Sequence, residues 1–253
     1  MRRTVLYECC DFEITLRELL FSLIIVLCMM TMGFLISEKI SSRADEKNQE
    51  YEQAAKIDGD KDLFEYAMRT NAGNAFVYGI LKAEDPVSLP EIDGQYAYIC
   101  KTRQEYRKYT RVVTDYDEDG TPCGTHEETY YSWDTVGHTE YSCTEISFLN
   151  HKFSYGTIPF PAVQLIEEIM ESNDVRYLYS VCSTEYEGTV YGRLTDSTIS
   201  KATFIKGMDI NEAIEYKCSM SQVEVIIFWV IWIILIGGAV FGFCYLDNRW
   251  RED

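Results

Sequence analysis

Two uncharged apolar runs constrain this chain more than any other feature. LLFSLIIVLCMMTMGFLI occupies residues 19–36 and VIIFWVIWIILIGGAVFGFCYL residues 225–246. They are 18 and 22 residues long. A bilayer's hydrocarbon core, about 30 Å thick, takes about 20 helical residues to cross. Backbone groups in hydrocarbon must be satisfied within the segment, so both runs are predicted to be helices. A pair of buried core helices and, for the first run, a cleaved signal peptide are the rival readings. Glu8, Asp11, Glu13 and Glu18 precede the first run and no small-x-small cleavage site follows it, which favours an uncleaved anchor.

Two spans place both termini on one side. Arg2, Arg3, Arg17, Arg249 and Arg251 flank the spans on that side; Lys39, Arg43, Lys47 and Lys217 lie on the other. This small excess predicts cytoplasmic termini and an extracytoplasmic loop domain. The chain carries a formal net charge of −18 at pH 7, which argues against nucleic acid as a partner, since that binding needs a basic surface. Its 253 residues include 19 Tyr, and the aromatic fraction of 14% points to strands and half-buried surfaces. Cys100, Cys123, Cys143, Cys182 and Cys218 fall between the runs, an odd number that leaves one thiol unpaired unless it bridges to another chain. Cys9 and Cys10 stand near the first run and read as free thiols or as acylation sites.

The expected organisation is an N-terminal tail (1–18), a first transmembrane helix (19–36), a helical stalk (37–72), an α+β domain (73–208), a juxtamembrane helix (209–222), a second transmembrane helix (223–246) and a C-terminal tail (247–253). Within the stalk, Leu63, Phe64, Ala67 and Met68 recur at helical spacing. The domain is expected to be mainly antiparallel sheet. Strands are predicted over 75–83, over 95–114 (one long strand, or two broken near Gln104), and over 128–136, 145–148, 152–155, 176–182, 188–194 and 198–205. A helix is predicted over 162–172, from Val163, Ile166, Ile169 and Met170 on one face. Asp209 followed by Glu212 reads as a capping box.

TDYDEDGTPCGTHEE, residues 114–128, opens like a calcium loop, with Asp115, Asp117, Asp119 and then Gly120. Its twelfth position is His126 instead of the bidentate Glu such a loop requires, so an acidic hairpin tip is the favoured reading and a weaker calcium site the other. Cys123, His126, His138 and Cys143 have the donor types of a tetrahedral zinc site, without the spacing of a zinc finger. A Cys123–Cys143 disulfide is the alternative in an oxidising compartment. The expectation is no cofactor, with calcium and zinc as the two candidates. Tyr96, Tyr98, Tyr106, Tyr109, Tyr130 and Tyr131 form a candidate interaction face. Gly238 and Gly242 make a G-x-x-x-G helix-packing motif, directed at the first span or at another copy, and Trp229, Trp232 and Trp250 are candidate interface anchors. No nucleophile elbow, Walker A run, H-E-x-x-H or paired C-x-x-C is present, so no catalytic residue is assigned.

The segments AFVYGILKAEDPVSLPEIDGQYAYICKTRQEYRKYTRVV, SWDTV and FSYGTIPFPA, set between two membrane anchors, resemble the BAM/GIDE domain of organellar RING ubiquitin ligases and their bacterial relatives. The family's ligase chemistry resides in a RING after the second span. Here DNRWRED follows Leu246, so the resemblance implies an interaction or sensing domain without a RING, and no catalytic residue carries over. The reading is a non-enzymatic two-span membrane protein presenting an acidic, Tyr-rich domain to an unknown protein or envelope partner. A membrane-proximal enzyme acting on lipid, glycan or peptide, and a homo-oligomeric membrane assembly, are the alternatives.

Overall fold

The computed structural model describes residues 5–9, 12–117 and 119–252. The thiols of Cys9 and Cys10 and the ring of Trp250 lie outside the described residues. The fold is α+β: helices α1 (Leu16–Gln53), α2 (Lys61–Arg69) and α3 (Ile210–Glu252) accompany mostly antiparallel sheet. The chain divides into two compact units, Met1–Gln53 with Ile214–Asp253, and Ala54–Ala213.

In the first unit, strands β1 (Val5–Cys9) and β2 (Phe12–Thr15) pair antiparallel ahead of α1. Both α1 and α3 are long and apolar enough to cross a bilayer. They run antiparallel, and their contacts keep one register along their length. Arg17 pairs with Asp247 at 2.6 Å, the Ser22 hydroxyl lies 3.6 Å from the Cys244 sulfur, and Ser221 donates to Asn48 Oδ1 at 2.7 Å. At 1.5 Å per residue α1 is about 57 Å long, well beyond a hydrocarbon core. The polar stretch from Ser37 therefore continues the apolar helix as a paired stalk.

The stalk read over 37–72, two helices parted by a break at Asp58, Gly59 and Asp60, also contains a strand. After Gln53, β3 (Ala55–Asp58) pairs parallel with β4 (Gly73–Ala83), burying Ile57. Asp60 then caps α2, its Oδ1 accepting from the Asp62 and Leu63 amides at 3.0 Å. Phe64, Ala67 and Met68 bury the inner face of α2 as their spacing requires.

The remaining strands are β5 (Val87–Leu89), β6 (Ile92–Tyr116), β7 (Pro122–Ser142), β8 (Glu145–Phe148), β9 (His151–Ser154), β10 (Gln164–Ser172), β11 (Val175–Ser183), β12 (Glu185–Thr195) and β13 (Thr198–Lys206). One sheet runs β13-β12-β4-β8-β9, with β3 beside β4; the other runs β10-β11-β6-β5, with β7 beside β6. β11 and β12 are separated by Thr184 alone, and the chain changes sheet there. The main core takes side chains from both sheets and from α2, among them Phe64, Val77, Leu81, Ala97, Ile146, Phe148, Cys182, Val190 and Leu194.

One expectation needs correction and two are refined. Residues 162–172 are not a helix: β10 pairs with β11 across a turn at Asn173 and Asp174, so Leu165, Ile166 and Met170 are exposed on an edge strand. The acidic stretch 114–128 does form a hairpin tip, but a shorter one than expected, because Thr114 pairs with Thr125 and Tyr116 with Pro122. Finally, of the two forms expected for 95–114 the structure has the single long strand, and β6 is unbroken at Gln104. The irregularity there is a bulge in β7, where Val136 is the extra residue between the Arg103–Gly137 and Gln104–Thr135 pairs. The capping box is formed: Asp209 Oδ1 accepts from the Glu212 amide at 2.9 Å, and Glu212 Oε2 accepts from the Asp209 amide at 3.0 Å.

Candidate functional site

Two surfaces of the β domain stand out. The first is a projecting ribbon. β11 supports β6 only as far as Glu105, which pairs with Val175, while β6 and β7 stay paired out to Tyr116. At about 3.3 Å per residue the unsupported ribbon is about 36 Å long. Two-stranded ribbons are marginal in water, so cross-strand side-chain pairs must hold this one. Tyr106 stacks on Tyr131 at 5.3 Å and lies against Trp133 at 5.1 Å. Arg176 sits over Trp133 at 4.3 Å. On the other face Tyr109 stacks on Tyr130 at 5.5 Å, its hydroxyl donates to Asp134, and Arg111 pairs with Glu128 at 2.6 Å.

The six tyrosines therefore do not make one face. Alternation along a strand puts Tyr106 and Tyr109 on opposite sides, and likewise Tyr130 and Tyr131. Tyr96 lies near the start of β6, opposite Val87 and far from the ribbon, with its hydroxyl donating to Asp93 O at 2.7 Å, and Tyr98 lines a separate cleft.

The metal candidates do not converge. Cys123, His126, His138 and Cys143 all belong to or adjoin one extended strand. His138 is twelve positions beyond His126, about 40 Å along it, and Cys143 is buried at the base. The same separation rules out a Cys123–Cys143 disulfide. At the tip Asp117 Oδ1 accepts from the Asp119 and Thr121 amides at 3.1 and 2.8 Å, Gly120 turns the chain at φ 78°, and Asp115 meets His126 Nδ1 at 2.7 Å. Among the described residues no group of three or more His, Cys, Asp or Glu is placed to hold a metal.

The second surface is a cleft of 460 Å³ between β6, β7, β11 and the segment after β9. Strand pairing sets its floor. Tyr98 lies opposite Cys182, and Cys100 opposite Glu140, so all four side chains share one face. The wall is Tyr-Gly-Thr-Ile-Pro-Phe-Pro, residues 155–161. Its two prolines fix their own φ and hold Ile158 and Phe160 extended. Ile158 is fully buried and pins the segment; Pro161 O accepts from the Cys182 thiol at 3.3 Å. Tyr98 and Tyr155 are nearly parallel, at 5° and 6.5 Å, and Phe160 follows at 6.1 Å from Tyr155.

Burial raises the Tyr98 hydroxyl's pKa, and a hydrogen bond with Glu140 raises it further. Burial, then the neighbouring Cys182, Cys143 and Glu140, push Tyr155 up to about 12. Burial also raises Cys182. All three groups are protonated donors at neutral pH, and the Cys182 thiol is a satisfied donor rather than a thiolate nucleophile. Of these residues the sequence had singled out only Tyr98 as a surface group. The stretch G-T-I-P-F-P was its readable sign of a rigid wall, but nothing in it points to Glu140 or Cys182.

In the helical unit the close approach is not where G-x-x-x-G places it. Gly33 of α1 receives Trp232 of α3: a Cβ added at Gly33 would lie 2.5 Å from Trp232 Nε1. The Trp232 indole donates to Met29 O and the Trp229 indole to Ser37 Oγ, both at 3.0 Å, so these rings bind α1 instead of serving as free interface anchors. Added Cβ atoms at Gly237, Gly238 and Gly242 would meet nothing within 4 Å.

Comparison of the chain with family models, with curated proteins and with solved structures found no match.

Proposed function

We propose that this chain is a two-span membrane protein whose acidic β domain is a non-enzymatic binding module, engaging a protein or envelope partner through the β6–β7 ribbon. The observation that carries this reading is the ribbon. It extends about 36 Å past its last supporting strand, and it leaves Tyr106, Val112, Tyr116 and Tyr131 exposed. Exposed aromatic and aliphatic groups on an element that adds little to the core are what a contact surface presents. The BAM/GIDE resemblance points the same way, towards interaction or sensing beside a membrane.

The test is a photo-crosslinking amino acid at Val112 or Tyr116 in native membranes, with Leu63 on α2 as a distant control. Discrete adducts are expected from the ribbon positions alone, and Tyr106→Glu with Tyr131→Glu should abolish them. Equal labelling from Leu63, or adducts indifferent to those substitutions, overturns the reading. The proposed orientation puts the termini in the cytoplasm. Cys123, exposed on β7, reports it: an impermeant maleimide should label it in intact cells. A second reading, self-association, is favoured by the open face at Gly238 and Gly242. Gly238→Leu would then lower the particle mass measured in detergent.

A further inference from the structure

The cleft lined by Tyr98, Tyr155, Phe160 and Glu140 has a chemistry distinct from the ribbon's. Three aromatic rings follow one another along it at 6.5 and 6.1 Å. Aromatic faces carry the negative end of the ring quadrupole and attract cations, methylated ammonium groups above all. One carboxylate, Glu140, stands at the rim, on the same strand face as Tyr98 and 3.9 Å from His138 Nε2. Among the described residues no Lys or Arg lines the cleft. Residues 37–224 carry a net −16, so the surrounding field concentrates cations and repels anions. Ile158, Pro159 and Pro161 supply an apolar wall that a hydrated metal ion has no use for but that methyl groups fill.

We propose that this cleft is a binding site for a small quaternary ammonium group of the choline type, the rings taking the methyl groups and Glu140 the charge. A fully apolar ligand would leave the Glu140 charge unused, and an anion would face both the carboxylate and the ring quadrupoles. The same headgroup occurs on free choline-like solutes and on choline lipids, and the experiment separates the two sources.

The full chain, in a detergent without a choline headgroup, is titrated with tetramethylammonium chloride and with choline chloride. Sodium chloride at equal ionic strength is the reference, and ligand methyl resonances are followed by saturation-transfer NMR. Saturable binding in the millimolar range is expected, with ring-current shifts of the methyl protons. Glu140→Gln should weaken it at least fivefold, and Phe160→Leu likewise. Because Phe160 packs against the core, Glu140→Gln, at an exposed rim position, is the deciding variant; its unfolding midpoint should match the parent's. No saturable signal above the sodium reference overturns the proposal, as does binding unchanged in Glu140→Gln. Given saturable binding, nanodiscs of phosphatidylcholine that compete with tetramethylammonium, where phosphatidylglycerol discs do not, assign the source to the lipid. Equal behaviour of the two discs assigns it to a free solute. Ribbon crosslinking should persist in Glu140→Gln, so either proposal can fail without the other.

Discussion

Placing a side chain at Gly33 tests the helical hairpin most directly. Its Cβ would lie 2.5 Å from Trp232 Nε1 and 2.8 Å from Trp232 Cδ1, inside any contact a real Cβ makes. The indole must swing away, which breaks its 3.0 Å hydrogen bond to Met29 O and its stacking on Phe228 at 5.5 Å. An interhelical hydrogen bond within a membrane contributes about 0.6 and at most about 1.7 kcal/mol. Overpacking a tight contact costs a further 1–3 kcal/mol or so. Gly33→Val therefore costs roughly 2–4 kcal/mol, a factor of roughly 30 to 900 between closed and open hairpin. The reporter is Ser22→Cys, whose sulfur would meet that of Cys244 where 3.6 Å now separates the two side chains. Mild oxidation in membranes should link the pair, as read by peptide mapping of the full chain. Adding Gly33→Val should slow that link strongly, whereas adding Gly238→Val or Gly242→Val should leave it unchanged. If Gly33→Val crosslinks at the parent rate while Gly238→Val does not, the packed face is the G-x-x-x-G face and the register described here is wrong.

Other perturbations probe the β domain. Phe64, fully buried against Phe148, Phe153 and His151, should cost about 3–5 kcal/mol when cut to Ala, seen as a lower urea midpoint for the full chain in detergent; Phe64→Leu should cost clearly less. Asp85 accepts from the Thr144 amide and hydroxyl and from the Glu145 amide, and these bonds lower its carboxyl from 3.8 to about 2. Its folded pKa lies below the unfolded one, so its contribution is complete above the unfolded value and is lost as pH falls from about 4 towards 2. Unfolding midpoints over that window should fall less steeply in Asp85→Asn. Tyr109→Phe removes the donor to Asp134, a charged acceptor, at about 1.5 kcal/mol. Amide exchange in the outer ribbon should quicken about tenfold, while Ile99 to Arg103, paired on both sides, stays unchanged.

What the sequence showed depended on whether the signal was local. The apolar runs, the capping box of Asp209 and Glu212, and the spacing of Phe64, Ala67 and Met68 are each set within a few residues, and each is formed. β10 was misread because Val163, Ile166, Ile169 and Met170 happen to fall at helical spacing, while the strand exists only by pairing with β11. Ala55 and Lys56 close a run of helix formers and Asp58 opens a break, so the strand between them went unread for the same reason; it is a ladder on β4. The zinc constellation failed differently. Its four donors are close in sequence, and a fully extended strand is the one conformation that holds such neighbours far apart. The cleft was invisible because Tyr98, Glu140, Tyr155 and Cys182 come from three strands and a loop, joined by long-range pairing.

One residue ties the two surfaces together. Side chains alternate along β7, so Glu140 and His138 ought to share a face with Tyr130 and Ser132, at even positions, and leave Tyr131 and Trp133 on the other. Val136, the extra residue opposite Arg103 and Gln104, shifts the alternation by one. Below the bulge Glu140 lies opposite Cys100; above it Trp133 lies opposite Tyr106 and Tyr131 opposite Lys108. As a result Glu140 of the cleft and the Tyr106, Tyr131 and Trp133 cluster stand on the same side of β6. Gln104 and Arg176 lie between them, with Arg176 donating to Gln104 Oε1 at 2.8 Å and covering Trp133. Without the bulge, the ribbon's aromatic stripe and the cleft's carboxylate would face opposite ways. With it, the cleft's carboxylate and the ribbon's aromatic cluster lie on one side of β6, with the Arg176 guanidinium over Trp133 and against Gln104 between them.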